Sequence, residues 1–203
     1  MSKFIMFHKP KGCVTARRDA VRPTVMDYFP EEWRDLLHPV GRLDIDTEGL
    51  LILTDDGHLD NRLMQPKRHV EKCYFFMAVG DVGEEGARRF REGVELYQQG
   101  VNSCPAVYEE LRRTTIADVK DWLPEFRRSR YLKNPGGAVT VGRLTITEGK
   151  KHQVKLMLKS VGCTIFYLKR ERVGGLTLDE SLAPGQWREL TEAELAALCD
   201  ETL

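Results

Sequence analysis

The feature that most constrains this chain is an acidic turn set directly against a short apolar run. Gly41-Arg42-Leu43-Asp44-Ile45-Asp46-Thr47-Glu48-Gly49 leads straight into Leu50-Leu51-Ile52-Leu53-Thr54. The run is bounded by Gly49 on one side and Asp55-Asp56-Gly57 on the other, which reads as a buried strand. Acids on a loop carried by a rigid strand stand where catalytic groups tend to sit. One chemistry for such a turn is calcium binding, because Asp44, Asp46, Glu48, Gly49 and, at the twelfth position, Asp55 imitate an EF-hand loop. That motif needs a helix on each flank, whereas Pro39-Val40-Gly41 precedes and a strand follows. Another is glycoside hydrolysis by two carboxylates. Spacing permits it, but sugar clefts usually stack aromatic side chains and none lies near this turn.

The remaining pattern is mixed. Lys3 to His8 reads as a strand entering a Lys-Pro-Lys-Gly turn at residues 9–12, and Val25 to Phe29 as helical turns among Pro23, Pro30 and Pro39. A short helix is expected over residues 58–64, then a strand from Cys73 to Val79, a helix from Glu84 to Arg91 and a strand from Ala106 to Leu111. Residues 112–137, with Trp122, Pro124, an arginine-rich run and Asn134-Pro135-Gly136-Gly137, read as an irregular insertion loop. Val139 to Thr147 is strand-like, with a bulge expected at Gly142. Val154, Met157, Leu158 and Val161 fall at i, i+3, i+4 and i+7, which defines a helix ending before Gly162. On it Lys155 and Lys159, with Lys151 just before, share another face. Thr164 to Leu168 is a strand, and Thr191 with Glu194 forms a capping box for a last helix. Strands and helices that mix without regular alternation indicate an α+β fold, a sheet with helices packed on it.

Charge adds one constraint. The chain of 203 residues is formally neutral, yet its cations cluster: Arg62, Lys67, Arg68, His69 and Lys72; Arg127, Arg128, Arg130 and Lys133; Lys150, Lys151, Lys155 and Lys159; Lys169, Arg170 and Arg172. Acids gather in residues 44–60 and in the tail from Glu189, so one face can be basic in a neutral protein. Each cluster taken singly could equally be a solvated surface. Five scattered cysteines never fall as C-x-x-C, which indicates thiols in a reducing compartment, the cytoplasm, and no structural metal. Apolar runs are too short for a membrane span or a signal peptide.

The acidic turn does not stand alone. Gly41-Arg42-Leu43-Asp44-x-x-Thr47-x-Gly49-Leu50-Leu51 resembles the catalytic signature of the pseudouridine synthases that modify ribosomal RNA. Lys9-Pro10-x-Gly12 resembles the family's opening motif, Glu71-Lys72-x-Tyr74 its tyrosine motif, and Glu148-Gly149-x-x-His152-Gln153-Val154-Lys155 its third active-site motif. Arg170 to Leu178, followed by Leu182-Ala183-Pro184-Gly185, resembles its C-terminal stretch. The matches run in family order over nearly the whole chain and are most similar to the small-subunit subfamily, whose relatives also modify the large subunit.

The resemblance implies a mixed, mainly antiparallel central sheet in a single catalytic domain over residues 1–203, with approximate subdomains 1–65 and 66–203 flanking an active-site cleft. Members commonly carry a small RNA-binding domain before the catalytic part, and no such N-terminal module is expected here. The resemblance also implies Asp44 as nucleophile or base, needing neither metal nor cofactor, and places Arg42, Tyr74, Gln153, Lys155 and Leu168 at the substrate. Tyr74 would stack on the uracil and Lys155 would keep the carboxylate ionised. Periodicity alone leaves Tyr74 as a core residue and Lys155 as a solvated one. RNA contacts are expected from Lys9, Lys11, Lys72, Lys150, Lys151, His152, Arg170 and Arg172. Leu156 and Lys150 depart from the family, which usually has Arg at both, and residues 112–137, through Arg127, Arg128 and Arg130, are expected to supply further RNA contact. The partner implied is ribosomal RNA or a ribosomal assembly intermediate, bound by a monomer. A non-catalytic RNA-binding module is the rival reading, against which Asp44 argues, since a carboxylate repels phosphate.

Overall fold

The computed structural model describes residues 2–57, 69–97 and 99–200, with residues 199 and 200 by backbone alone. The helix expected at 58–64 and the cations Arg62, Lys67 and Arg68 lie outside the described residues. The chain divides into two compact units, Met1–Lys72 with Lys169–Leu203, and Cys73–Leu168. A division at residue 65 is therefore corrected: the C-terminal segment returns to the first unit, because its apolar residues complete that unit's core.

In the first unit β1 (Phe4–Lys9) is flanked on both sides, antiparallel to β3 (Glu48–Thr54) and to β11 (Trp187–Glu189). Coverage on both edges and both faces explains why β1 reads as a nearly continuous apolar run. β2 (His38–Val40) also pairs with β3, and β9 (Thr164–Val173) lies parallel to β3 at Glu48↔Lys169 and Gly49↔Arg170. Met6, Val40, Leu50 and Ile52 pack with Val173, Leu176, Leu178 and Leu198. Phe7 meets Tyr28 and Phe29, and Trp187 meets Phe29 and Trp33, with ring centroids 5.0–5.4 Å apart. The expected capping box is present: Glu194 N donates to Thr191 Oγ1, and Thr191 N donates to Glu194, opening the helix Glu192–Asp200.

In the second unit the strand order is β9, β4 (Lys72–Val79), β8 (Ala138–Ile146), β7 (Val107–Thr115). Side chains alternate along β4, as the two-residue period of a strand requires. Tyr74, Phe76 and Ala78 join a core closed by the helices Gly83–Glu92 and Gln153–Ser160, while Phe75, Met77 and Val79 join a second core. The helix stripe Val154, Met157, Leu158 is buried as expected, and Gly162 follows it with φ +82°. The strand pairs with known register are antiparallel except β3 with β9, which accords with an α+β fold built on a mainly antiparallel sheet.

Two local readings are corrected. The bulge lies on β7, where the register shifts between Glu110 and Arg112, not on β8 at Gly142. β8 keeps its alternation, Val139 and Val141 facing one core and Leu144 and Ile146 the other. Gly142 is required instead by crowding, because a Cβ there would sit 2.7 Å from Glu109 O and 3.1 Å from Phe76. Residues 112–137 are likewise not an irregular loop. They finish β7, turn through a 3-10 helix Ala117–Trp122 and form a helix Glu125–Tyr131. Ile116, Val119 and Leu123 are buried against Met77, Val139, Val141 and Tyr167, which anchors the segment. Asp118 accepts hydrogen bonds from Thr114 Oγ1, Thr115 Oγ1 and Thr115 N and fixes the turn between strand and helix. Among the described residues no helix is long and apolar enough to cross a membrane.

Candidate active site

The acidic turn of the first unit is held from beneath by the end of β1 and the segment that follows it. Thr47 N donates to Asp44 O at 3.1 Å, closing the turn itself. The side chain of Lys9, 0% exposed, then rises into it, and its ammonium donates to Asp44 O (3.1 Å), Thr47 O (3.0 Å) and Pro10 O (2.9 Å). All three N–H groups of the ammonium are thereby used. Burial pushes the Lys9 pKa down, against the opposing pull of Cys13, Asp46, Asp44 and Glu48. Gly12 N donates to Ile45 O at 2.7 Å, and Thr15 Oγ1 both donates to Leu43 O (2.8 Å) and accepts from Leu43 N (3.1 Å). Leu43 and Thr47 are buried, Asp44 is half-buried, and Arg42, Ile45 and Asp46 are exposed. Leu43, Asp44, Ile45 and Thr47 thus have their backbone fixed around one partly exposed carboxylate, the preorganisation a reacting group needs.

Gly49 ends the turn with φ +112°, a conformation costly for any residue with a side chain. Its Cα also abuts β9 so closely that a Cβ would lie 2.6 Å from Arg170 N and closer still to Arg170 O. Arg170 is 4% exposed, and its Nε donates to Leu50 O at 2.8 Å. Lys72 is similarly enclosed, its ammonium on Val70 O at 2.8 Å. Burial, with the repulsion of Arg170, brings its pKa down to about 8.

Three expected RNA contacts are therefore corrected. Lys9, Lys72 and Arg170 are enclosed cations that hold backbone carbonyls, and a phosphate cannot reach them without uncovering them. Lys9 and Arg170 bind the backbone of the turn and of the strand after it, and Lys72 binds Val70 O. Arg172 is half-buried in an ion pair with Glu71 (2.8 Å) and also donates to Gly174 O. Lys11 is exposed.

The third motif forms a knot in the second unit. Gln153, 3% exposed, donates through Nε2 to Glu148 Oε1 (2.7 Å) and accepts from Lys150 N (2.9 Å). Glu148 also accepts from Cys104 N (2.7 Å) and pairs with the Lys150 ammonium. Burial pushes the Glu148 pKa up, but the bonds from Lys150 and Cys104 outweigh it and hold the carboxyl below its usual range. His152 takes the left-handed conformation, φ +53°, immediately before the helix Gln153–Ser160. That strain in a non-glycine residue persists only because the knot fixes the backbone on both sides. Lys151 and His152 are exposed, and Lys155 is half-exposed. Leu168 is buried in the core, and Tyr74 is half-exposed and packs on the same core. Gln153 thus positions the helix that carries Lys155. Sequence reasoning missed Thr15, whose hydroxyl belongs to no motif, and the bracing role of Lys9, whose motif was visible but not its burial.

Comparison with known proteins bears on this arrangement. The family model described as RNA pseudouridylate synthase matches residues 3–160. The ribosomal small subunit pseudouridine synthase A of Escherichia coli is 38% identical over 196 residues, covering 97% of this chain and 74% of its own. An uncharacterised RNA pseudouridine synthase of Bacillus subtilis is 41% identical over 196 residues, covering 96% and 72%. A crystal structure of a pseudouridylate synthase superposes with a TM-score of 0.80 at 34% identity, over 98% of this chain and 74% of the other.

Proposed function

Since the chain belongs to the RNA pseudouridylate synthase family, we propose that it isomerises a uridine of ribosomal RNA, most directly in the small subunit, with Asp44 as the catalytic carboxylate. The observation that carries this reading is the turn geometry, a partly exposed carboxylate whose backbone is braced by Lys9, Gly12 and Thr15. The small subunit is favoured by the name of the Escherichia coli relative.

The reaction breaks the N1–C1′ glycosidic bond, turns the base and joins C1′ to C5, while C5 loses a proton and N1 gains one. No electrons are exchanged with an outside group, so one carboxylate acting as nucleophile or base serves the chemistry. The uridine reacts only once it is out of its helical stack. By motif resemblance Tyr74 stacks on the extruded base and Lys155 keeps the carboxylate ionised, while Gln153, through its bonds to Glu148 and Lys150 N, positions the Lys155 helix. Arg42, Lys11, Lys151 and His152 contact the RNA backbone through their exposed side chains, with Lys150 and Arg172 reaching phosphate by exchanging their carboxylate partners.

The test is tritium release from ribosomal RNA labelled at uridine C5, with mapping of pseudouridines in cells lacking the protein. Release by the purified protein and loss of a small-subunit pseudouridine support the reading. Retained RNA binding without release would reduce the chain to a binding module, and loss of a large-subunit pseudouridine alone would move the substrate.

A further inference from the structure

Residues 112–137 carry seven Lys or Arg against three Asp or Glu in a chain whose formal charge is zero. One of the three acids, Asp118, is taken up by Thr114 and Thr115. The segment is ordered by its own buried residues, so what it shows to solvent is held in place rather than averaged over a loop. Two large aromatic side chains stand in the open there, Phe126 at 80% and Trp122 at 54% exposure. Trp122 is propped edge-on against Tyr167, centroids 5.2 Å apart, which leaves the rest of its indole to solvent. The Arg127 guanidinium lies 5.2 Å from the Phe126 ring centroid. Arg130 follows Phe126 by four residues, one turn along the same helix face, and Arg127, Arg130 and Lys133 are all exposed. Arg128 points the other way and donates to Leu123 O at 3.2 Å. Its burial separates the arginines that brace this segment from those that face outward.

We propose that the surface formed by Trp122, Phe126, Arg127, Arg130 and Lys133 is a stacking platform for an unpaired stretch of RNA other than the reacting uridine. Rings offer a face to any base, and flanking cations take the phosphates on either side, which is how single strands are held without reading sequence. Charge complementarity selects RNA over a protein partner for this surface, because Arg127 lies against the Phe126 ring and Arg130 and Lys133 are exposed on and just after the same helix. The inference rests on the reading that the substrate is RNA and adds a second contact point to it.

The experiment compares wild type, Phe126→Ala, Phe126→Tyr and the double substitution Arg127→Gln/Arg130→Gln. Each is measured for affinity to a ribosomal RNA fragment over a salt series and for kcat and KM of tritium release. Phe126 is so exposed that its removal leaves folding intact, which circular dichroism verifies. The expected result is roughly tenfold weaker binding and raised KM for Phe126→Ala, with kcat unchanged and affinity kept by Phe126→Tyr. The arginine pair should reduce the slope of log affinity against log salt by about 1.4. Phe126→Ala that binds RNA as wild type does overturns the platform, while tritium release by wild type in the same assay leaves the proposed function standing. A wild type that binds RNA and loses that binding with Phe126→Ala, but releases no tritium, overturns the catalytic reading and supports the platform.

Discussion

Lys9 and Asp44 are joined through the backbone: the buried ammonium of Lys9 donates to the carbonyl of Asp44 at 3.1 Å and to that of Thr47 at 3.0 Å, clasping both ends of the turn. The lysine of the opening motif is thus buried beneath the turn that carries Asp44. Lys9→Met is expected to lower kcat about a hundredfold, since a misplacement near 1 Å costs that much, while RNA affinity stays within about twofold. Stability should fall by about 2–3 kcal/mol, because the carbonyls lose their charged donor. Equilibrium denaturation, binding and single-turnover kinetics on one preparation check all three. A variant that loses RNA affinity but keeps its single-turnover rate would return Lys9 to the RNA surface.

Gly49 is held by two independent constraints, its positive φ and the approach of the β9 backbone at Arg170. Gly49→Ala should cost about 3 kcal/mol or more, since strain and backbone clash act together and no flexible side chain can give way. Thermal unfolding measures it. Gly12→Ala, with φ +93° and nothing within 4 Å of the new Cβ, carries only the conformational cost and should lose about 1–2 kcal/mol.

Lys72 makes stability depend on alkaline pH. Its folded pKa of about 8 lies below the ordinary 10.5, so between those values the unfolded chain holds a proton that the folded one has released. Unfolding takes up that proton, and the Lys72 contribution to stability rises with pH from about 8 to 10.5. Lys72→Met removes this dependence. Its stability relative to wild type should be highest below pH 8 and decline as pH climbs to 10.5, as urea denaturation in a pH series would reveal. A constant difference across that range contradicts the burial of the charge.

Glu148 and Gln153 stabilise the strained His152 entry to the helix of Lys155. Gln153→Ala leaves Lys150 N and Glu148 each short of a partner and should cost about 1–3 kcal/mol. Amide exchange should quicken in the first turn of that helix before it does elsewhere. Uniform exchange across the helix would show that the knot does not order its entry.

Most strands, the amphipathic helix through Met157 and the last capping box were legible because each is written locally, in a two- or 3.6-residue apolar period or an i, i+3 cap. The family was legible through the motif around Asp44. What escaped was set by contacts between residues far apart in the chain. Lys9 looks like any basic residue until β1 and the turn enclose it, and Arg170 is buried only because Gly49 lets β3 approach β9. Residues 112–137 were misread because three apolar residues at helical spacing, Ile116, Val119 and Leu123, are outnumbered by charges that face solvent. That spacing is the one local signal of a helix there, set against the arginine run and Asn134-Pro135-Gly136-Gly137.

The most direct test is tritium release by Asp44→Asn, with circular dichroism and RNA affinity measured on the same sample. The substitution keeps size and the backbone bond to Lys9 but removes the charge. The protein should fold and bind RNA as wild type does, yet release no tritium above background. Release at the wild-type rate from that folded variant would contradict the assignment of Asp44.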